Sequence, residues 1–100
     1  MKRARFDAVI HAPNRLHICA FLSPLQEAEF QVIRDELEVS DSVLSKHLKR
    51  LEAAGYVGFR KEAVNGRQRM WAGLTSAGRK ALAGHVEQLQ QLARLVTEES

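Results

Sequence analysis

Hydrophobic residues recur at helical spacing through the first part of the chain. Residues 5–10 (RFDAVI) predict a short helix, and residues 13–22 (PNRLHICAFL) predict a second helix that is apolar nearly all round. An apolar stripe with i, i+3, i+7 spacing follows at Phe30, Ile33 and Leu37. This stripe predicts a third helix with a single buried face.

A fourth helix is predicted by the leucines of LSKHLKRLEAAGYV, residues 44–57. At 100° per residue, its three leucines lie within about 60° of one another and can anchor a core. Ser40 or Asp41 is suited to cap its start, and Gly55 is placed to end it. Because the connection between the third and fourth helices is so short, residues 30–54 predict a helix-turn-helix.

The hydrophobic period then changes from 3.6 to 2, which predicts a β-hairpin over residues 57–74. Asn65-Gly66 is a strong signal for a two-residue hairpin turn. Residues 26–30 (QEAEF) have room for one more very short strand. Pairing outward from the turn sets four pairs of residues opposite one another: Phe59 and Ala72, Val57 and Leu74, Glu62 and Arg69, and Arg60 and Trp71.

A long helix is predicted over residues 75–97, with Thr75 as its N-cap. Its seam follows heptad spacing, which is typical of helices that associate with a second copy. Because the sequence offers no other segment to cover this seam in a single chain, we expect a homodimer. A histidine within the seam suits simple packing or, alternatively, a pH-sensitive dimer. The expected interface residues are Leu82, His85, Leu89, Leu92 and Val96.

Positive charge is concentrated in the middle of the chain. The net charge is +3, and residues 41–69 hold seven basic but only three acidic residues. Localised positive charge is typical of a nucleic-acid-binding surface. The alternative is a basic face that serves only solubility. Hydrophobic residues make up 45% of the sequence, as in an ordinary globular chain, and 100 residues correspond to one domain.

The side of the fourth helix opposite the leucines carries serines and lysines, while Asp41 and Glu52 lie outside this arc. Short polar side chains allow a helix to approach a DNA groove closely, and lysines can reach phosphates or guanine edges. Basic residues near the hairpin tip can grip phosphate or enter a minor groove. The candidate DNA-binding residues are Ser42, Ser45, Lys46, Lys49, Arg50, Lys61, Asn65, Arg67 and Arg69.

The order of elements is that of a mainly α winged helix-turn-helix, with a two- to three-stranded β-wing and a long C-terminal dimerisation helix. LSKHLKRLEAAGYV and NGRQRMWAGLTSAGRKAL resemble the small winged-helix transcriptional regulators related to the MarR and ArsR families. The resemblance extends from about Arg15 to Leu89. It implies a recognition helix at 40–54, a wing at 57–74, and a dimer that binds double-stranded DNA.

Other functions find less support in the sequence. A winged helix can instead be a protein-interaction adaptor, and a basic one can bind nucleic acid without specificity. No catalytic motif is present, so we expect no enzyme and no cofactor. His11, His17 and Cys19 are close in sequence, but His17 and Cys19 point to different sides of a helix, so we expect no metal site. We also expect no small-molecule effector, and a cytoplasmic protein without a membrane span or secretory leader.

Overall fold

The computed structural model describes residues 7–98 and contains the expected helices and strands. Of the segment predicted as the first helix, residues 5 and 6 lie outside the described residues. The carboxylate of Asp7 caps this helix by accepting hydrogen bonds from the backbone N–H groups of Val9 and Ile10. The elements are α1 (Ala8–His11), α2 (Pro13–Leu22), β1 (Ala28–Glu29), α3 (Phe30–Leu37), α4 (Asp41–Ala53), β2 (Val57–Val64), β3 (Arg67–Leu74) and α5 (Ser76–Glu98).

The core is built mainly from aliphatic side chains of the helices. Helix α2 is central to it and contacts α1, α3, α4 and α5. This position explains why its sequence is apolar nearly all round. The largest fully buried hydrophobic side chains are Ile10, Ile18, Leu22, Ile33, Leu44, Leu48 and Leu51.

The helix-turn-helix is confirmed as α3 and α4. Helix α3 ends where Glu38 adopts the left-handed conformation with φ of 55°. The hydroxyl oxygen of Ser40 then accepts a hydrogen bond from the backbone N–H of Val43 at 3.2 Å, so Ser40 is the N-cap of α4. Gly55 follows the end of α4 with φ of +80°, which agrees with the C-terminal glycine expected from the sequence.

Strands β2 and β3 form the hairpin, and β1 pairs with the outer edge of β3 in the order β1-β3-β2. All four residue pairs expected from the sequence are present in the register. The turn residues Asn65 and Gly66 have φ of 50° and 78°, as the tight two-residue turn requires. Side chains alternate between the two faces of this hairpin, so each face of the wing carries a different set of basic residues.

Helix α5 begins at the cap predicted from the sequence, since the hydroxyl of Thr75 accepts a hydrogen bond from Gly78 N–H at 3.0 Å. The expectation that its whole heptad seam is uncovered in one chain is wrong. Leu82 and His85 are 7% and 0% exposed, because α1 packs against this part of α5. Leu92 and Val96 remain exposed. No helix within residues 7–98 is long and apolar enough to cross a membrane.

Candidate nucleic-acid interface

Helix α4 buries its leucines and leaves a polar side facing outward. Leu44, Leu48 and Leu51 are in the core. Four of the five candidate residues on this helix are exposed, and Ser45 is half-buried. None of the ion pairs found among residues 7–98 involves a basic residue of α4. The positive charge of this face is therefore available to a partner.

A cleft of about 400 Å³ separates α4 from the wing. Ser45 and Lys49 line it from the helix, and Lys61 lines it from β2. Phe59 and Met70 also line the cleft, on the same face of the hairpin as Lys61. The structure thus brings together a serine and two lysines that the sequence placed on separate elements.

Negative charge is closer to this surface than the sequence suggested. Glu52 lines the same cleft as Lys49, although it was expected outside the arc. Asp41, in the first turn of α4, is held by Arg34 with Nη1 and Oδ1 2.8 Å apart. Hydrogen bonds to Asp41 and Asp35 raise the pKa of Arg34, and its ion pair with Asp41 offsets the negative charge beside the exposed face.

The wing arginines differ in their surroundings. Arg67 and Arg69 share the hairpin face opposite the one that carries Lys61. Arg69 donates a hydrogen bond to Glu29 of β1 at 2.8 Å, so its charge is paired within the chain. No ion pair among the described residues includes Arg67, which is exposed beside the turn at Asn65.

Arg60 is also neutralised on this face of the wing. Its guanidinium contacts Glu27 at 2.7 Å and Glu62 at 2.5 Å, which raises its pKa and lowers that of Glu27. The guanidinium carbon lies 4.1 Å from the ring centroid of Trp71, in a cation–π contact. Only the Arg60–Trp71 pairing was anticipated from the sequence. Glu62 is two residues away from Arg60 on β2, whereas Glu27 is 33 residues away and is brought to Arg60 only by the fold.

His47 is half-buried where α4 meets the start of α2. Its Nδ1 lies 3.4 Å from Nη1 of Arg15, and its Nε2 lies 3.4 Å from the side-chain amide of Asn14. Burial lowers the pKa of His47, and the charges of Arg15 and Lys46 lower it further. These contacts indicate that His47 packs between α4 and α2 and does not contact a base.

Metal-binding side chains do not cluster in the described part of the chain, where no group of three or more histidine, cysteine or carboxylate side chains could hold an ion. Cys19 is buried in the core. Burial raises the pKa of its thiol to about 11. His17 instead contacts Glu36 on the surface at 3.0 Å. The basic surface is therefore the candidate functional site of this protein.

Comparison with known proteins identifies the family to which this chain belongs. Residues 14–93 match the family described as winged helix DNA-binding domain, and the chain belongs to that family. The family and the fold are those of DNA-binding transcriptional regulators and not of enzymes. The match extends from the start of α2 to Ala93 within α5 and therefore includes both α4 and the wing.

One relative and one solved structure are similar to this protein over most of the chain. The chain is 32% identical over 89 residues to an uncharacterized protein of Methanocaldococcus jannaschii, covering 89% of this chain and 92% of that protein. It also resembles the structure of a transcriptional regulator homologue from Pyrococcus horikoshii, with a TM-score of 0.82 and 26% identity. That alignment covers 88% of this chain and 87% of the other.

A third similar structure is that of BpsR from Bordetella bronchiseptica, whose DNA binding is regulated by 6-hydroxynicotinic acid. Its TM-score is 0.73 at 12% identity, covering 89% of this chain and 67% of BpsR. At this identity the likeness shows the fold alone. The regulation of BpsR by a small molecule does not fit the sequence-based expectation that this protein has no small-molecule effector.

Proposed function

We propose that this regulator binds double-stranded DNA sequence-specifically, with α4 in the major groove and the wing on the backbone or in the minor groove. The observation that carries the proposal is the polar side of α4, whose lysines have no carboxylate ion-pair partner among the described residues. A helix serving only a core has no need of such a face. The adjoining wing supplies a second basic element through Lys61 and Arg67.

The residues of α4 suit different contacts. Ser42 and Ser45 are short and polar and let the helix backbone come close to the base edges. Lys49 lies on the same side as Ser45 and can reach guanine O6 and N7. Arg67 at the hairpin tip suits a phosphate or a narrow minor groove, where contacts carry less sequence information. Base reading is therefore assigned to α4, and positioning is assigned to the wing.

We also propose that the protein acts as a homodimer through the last turns of α5. Leu92, Leu95 and Val96 are 41%, 60% and 76% exposed in the single chain. Contiguous exposed apolar side chains typically mark association sites. With Leu89, they form the interface in place of the buried Leu82 and His85. Two recognition helices related by a two-fold axis suit a palindromic site with half-sites about 34–36 Å apart.

The dimer can be tested by placing charge on this apolar surface. We expect Leu92→Glu and Val96→Glu to sediment as monomers at micromolar concentration, because pairing would bury carboxylates against leucine. Val32→Glu is the matched control, since Val32 is an exposed apolar residue on α3. Wild type and control should remain dimeric. If the α5 variants stay dimeric as well, the interface lies elsewhere.

The DNA-binding proposal can be tested by selecting bound duplexes from random and genomic DNA. We expect a palindromic sequence to be enriched and to resist competition by unrelated DNA. Equal competition by any duplex would favour a nonspecific nucleic-acid-binding protein. No retention of duplex DNA and no retention on heparin would instead favour a protein-interaction adaptor.

A further inference from the structure

A second depression lies on the other side of α4, facing the start of α2. It encloses about 390 Å³ and is lined by four basic side chains and one valine. No carboxylate is among its described lining residues. These are Arg15, Val43, Lys46, His47 and Arg50.

Arg15 is held in place within this depression. Its Nε donates a hydrogen bond to the carbonyl oxygen of Val9, and its Nη1 faces Nδ1 of His47 at 3.4 Å. Because arginine only donates, this contact favours the neutral imidazole with its lone pair on Nδ1. The ion pairs found within residues 7–98 do not include Arg15. The guanidinium is therefore ordered by neutral partners and keeps its full charge.

Three permanent cations around one concave surface repel one another and favour an anion with several acceptor oxygens. A phosphoryl group is such an anion, and a positioned guanidinium binds it with strong, charge-assisted hydrogen bonds. We infer that Arg15, Lys46 and Arg50 form a binding site for one phosphoryl group. The group is either a phosphate of the DNA backbone or that of a free phosphorylated molecule.

The position of the depression explains how it would serve DNA binding, and this part of the inference rests on the function proposed above. Lys46 and Arg50 each follow Ser45 and Lys49 by one residue, which turns them by about 100° around the helix. Ser45 and Lys49 line the cleft beside the wing. A helix in a major groove has a phosphate backbone on each side, and this depression lies on the side away from the wing.

The test compares Arg15→Gln with the matched control Arg79→Gln. Arg79 also donates to backbone carbonyls, those of Ser23 and Leu25, at the opposite end of α2. With duplex DNA, the slope of log affinity against log salt should become shallower for Arg15→Gln by about 0.9 per subunit. The control should keep the wild-type slope. Arg50→Gln, which changes an exposed side chain, should show the same loss if Arg15→Gln fails to fold.

A second arm titrates pyrophosphate without DNA and follows the melting temperature. Saturable stabilisation that Arg15→Gln loses and Arg79→Gln keeps, together with unchanged DNA slopes, would assign the site to a free phosphorylated molecule. A shallower DNA slope without pyrophosphate binding would assign it to the DNA backbone. If neither the slopes nor the pyrophosphate response depend on Arg15 or Arg50, the inference is overturned. If the wild-type protein binds no duplex DNA, only the proposed function is contradicted, because the pyrophosphate titration still tests the phosphoryl-binding site.

Discussion

Replacing Gly78 by alanine tests how α5 is docked against the junction between α4 and β2. A Cβ atom at this position would lie 2.1 Å from the carbonyl oxygen of Tyr56 and 2.9 Å from its carbonyl carbon. Ordinary contact begins near 3.4 Å, so the backbones must separate by about 1.3 Å. That carbonyl also accepts a hydrogen bond from Thr75 N–H at 2.9 Å, which the same movement would weaken.

The expected magnitude follows from these opposing effects. Overpacking costs about 1–3 kcal/mol and a weakened hydrogen bond about 1 kcal/mol, whereas alanine gains about 1 kcal/mol of helix propensity. We therefore expect Gly78→Ala to lower the free energy of unfolding by about 1–3 kcal/mol. The melting temperature should fall by about 5–20 °C in a domain of this size.

Gly84→Ala is the matched control, because a Cβ atom there meets nothing within 4 Å. This substitution should raise the free energy of unfolding by about 0.5–1 kcal/mol through helix propensity alone. Both variants should be measured by thermal and denaturant unfolding at one protein concentration, since a dimer's stability depends on concentration. If Gly78→Ala is as stable as Gly84→Ala, α5 does not approach the carbonyl group of Tyr56 as closely as described.

Two further substitutions test the electrostatics of the fold. Burial lowers the pKa of His85 below its ordinary value, and the neighbouring His11 lowers it further. The unfolded chain therefore binds a proton at this histidine more readily than the folded chain does. The free energy of unfolding should consequently fall as the pH drops below about 6.5. Denaturant unfolding at pH 7 and pH 5 should show a smaller loss for His85→Gln, and an equal loss would contradict this origin. The second substitution, Glu29→Gln, removes the carboxylate that pairs with Arg69, so DNA affinity should increase modestly and the salt slope should steepen. Titrations with unchanged affinity and slope would show that Arg69 does not contact the DNA backbone.

The sequence was sufficient to predict the elements because each carries a strong local signal. Local secondary structure over a few residues is specified by the leucines of α4, by the cap at Ser40 and by the Asn65-Gly66 turn. The hairpin register follows from that turn, since a two-residue loop leaves one pairing pattern. Locally consistent signals of this kind made the winged helix predictable from a single chain.

The site was less predictable because its electrostatics depend on contacts between distant segments. The pairing of Arg69 with Glu29 exists only because β1 adds to the edge of β3. The burial of His85 requires α1 to fold back onto α5, and periodicity within α5 contains no sign of it. The role of Arg15 is not predictable from the sequence, because it lies on α2, whose apolar pattern indicates burial.

The most direct test of the central claim, that α4 reads bases while the wing holds the backbone, is a comparison of Lys49→Ala with Arg67→Ala. Each variant would be titrated against a selected operator and random DNA at several salt concentrations. Lys49→Ala should shrink the free-energy gap between the two DNAs by about 1–3 kcal/mol. Arg67→Ala should weaken both DNAs alike and make the salt slope shallower by about 0.9 per lost phosphate contact. Loss of discrimination in Arg67→Ala with full discrimination in Lys49→Ala would contradict the account and assign sequence reading to the wing.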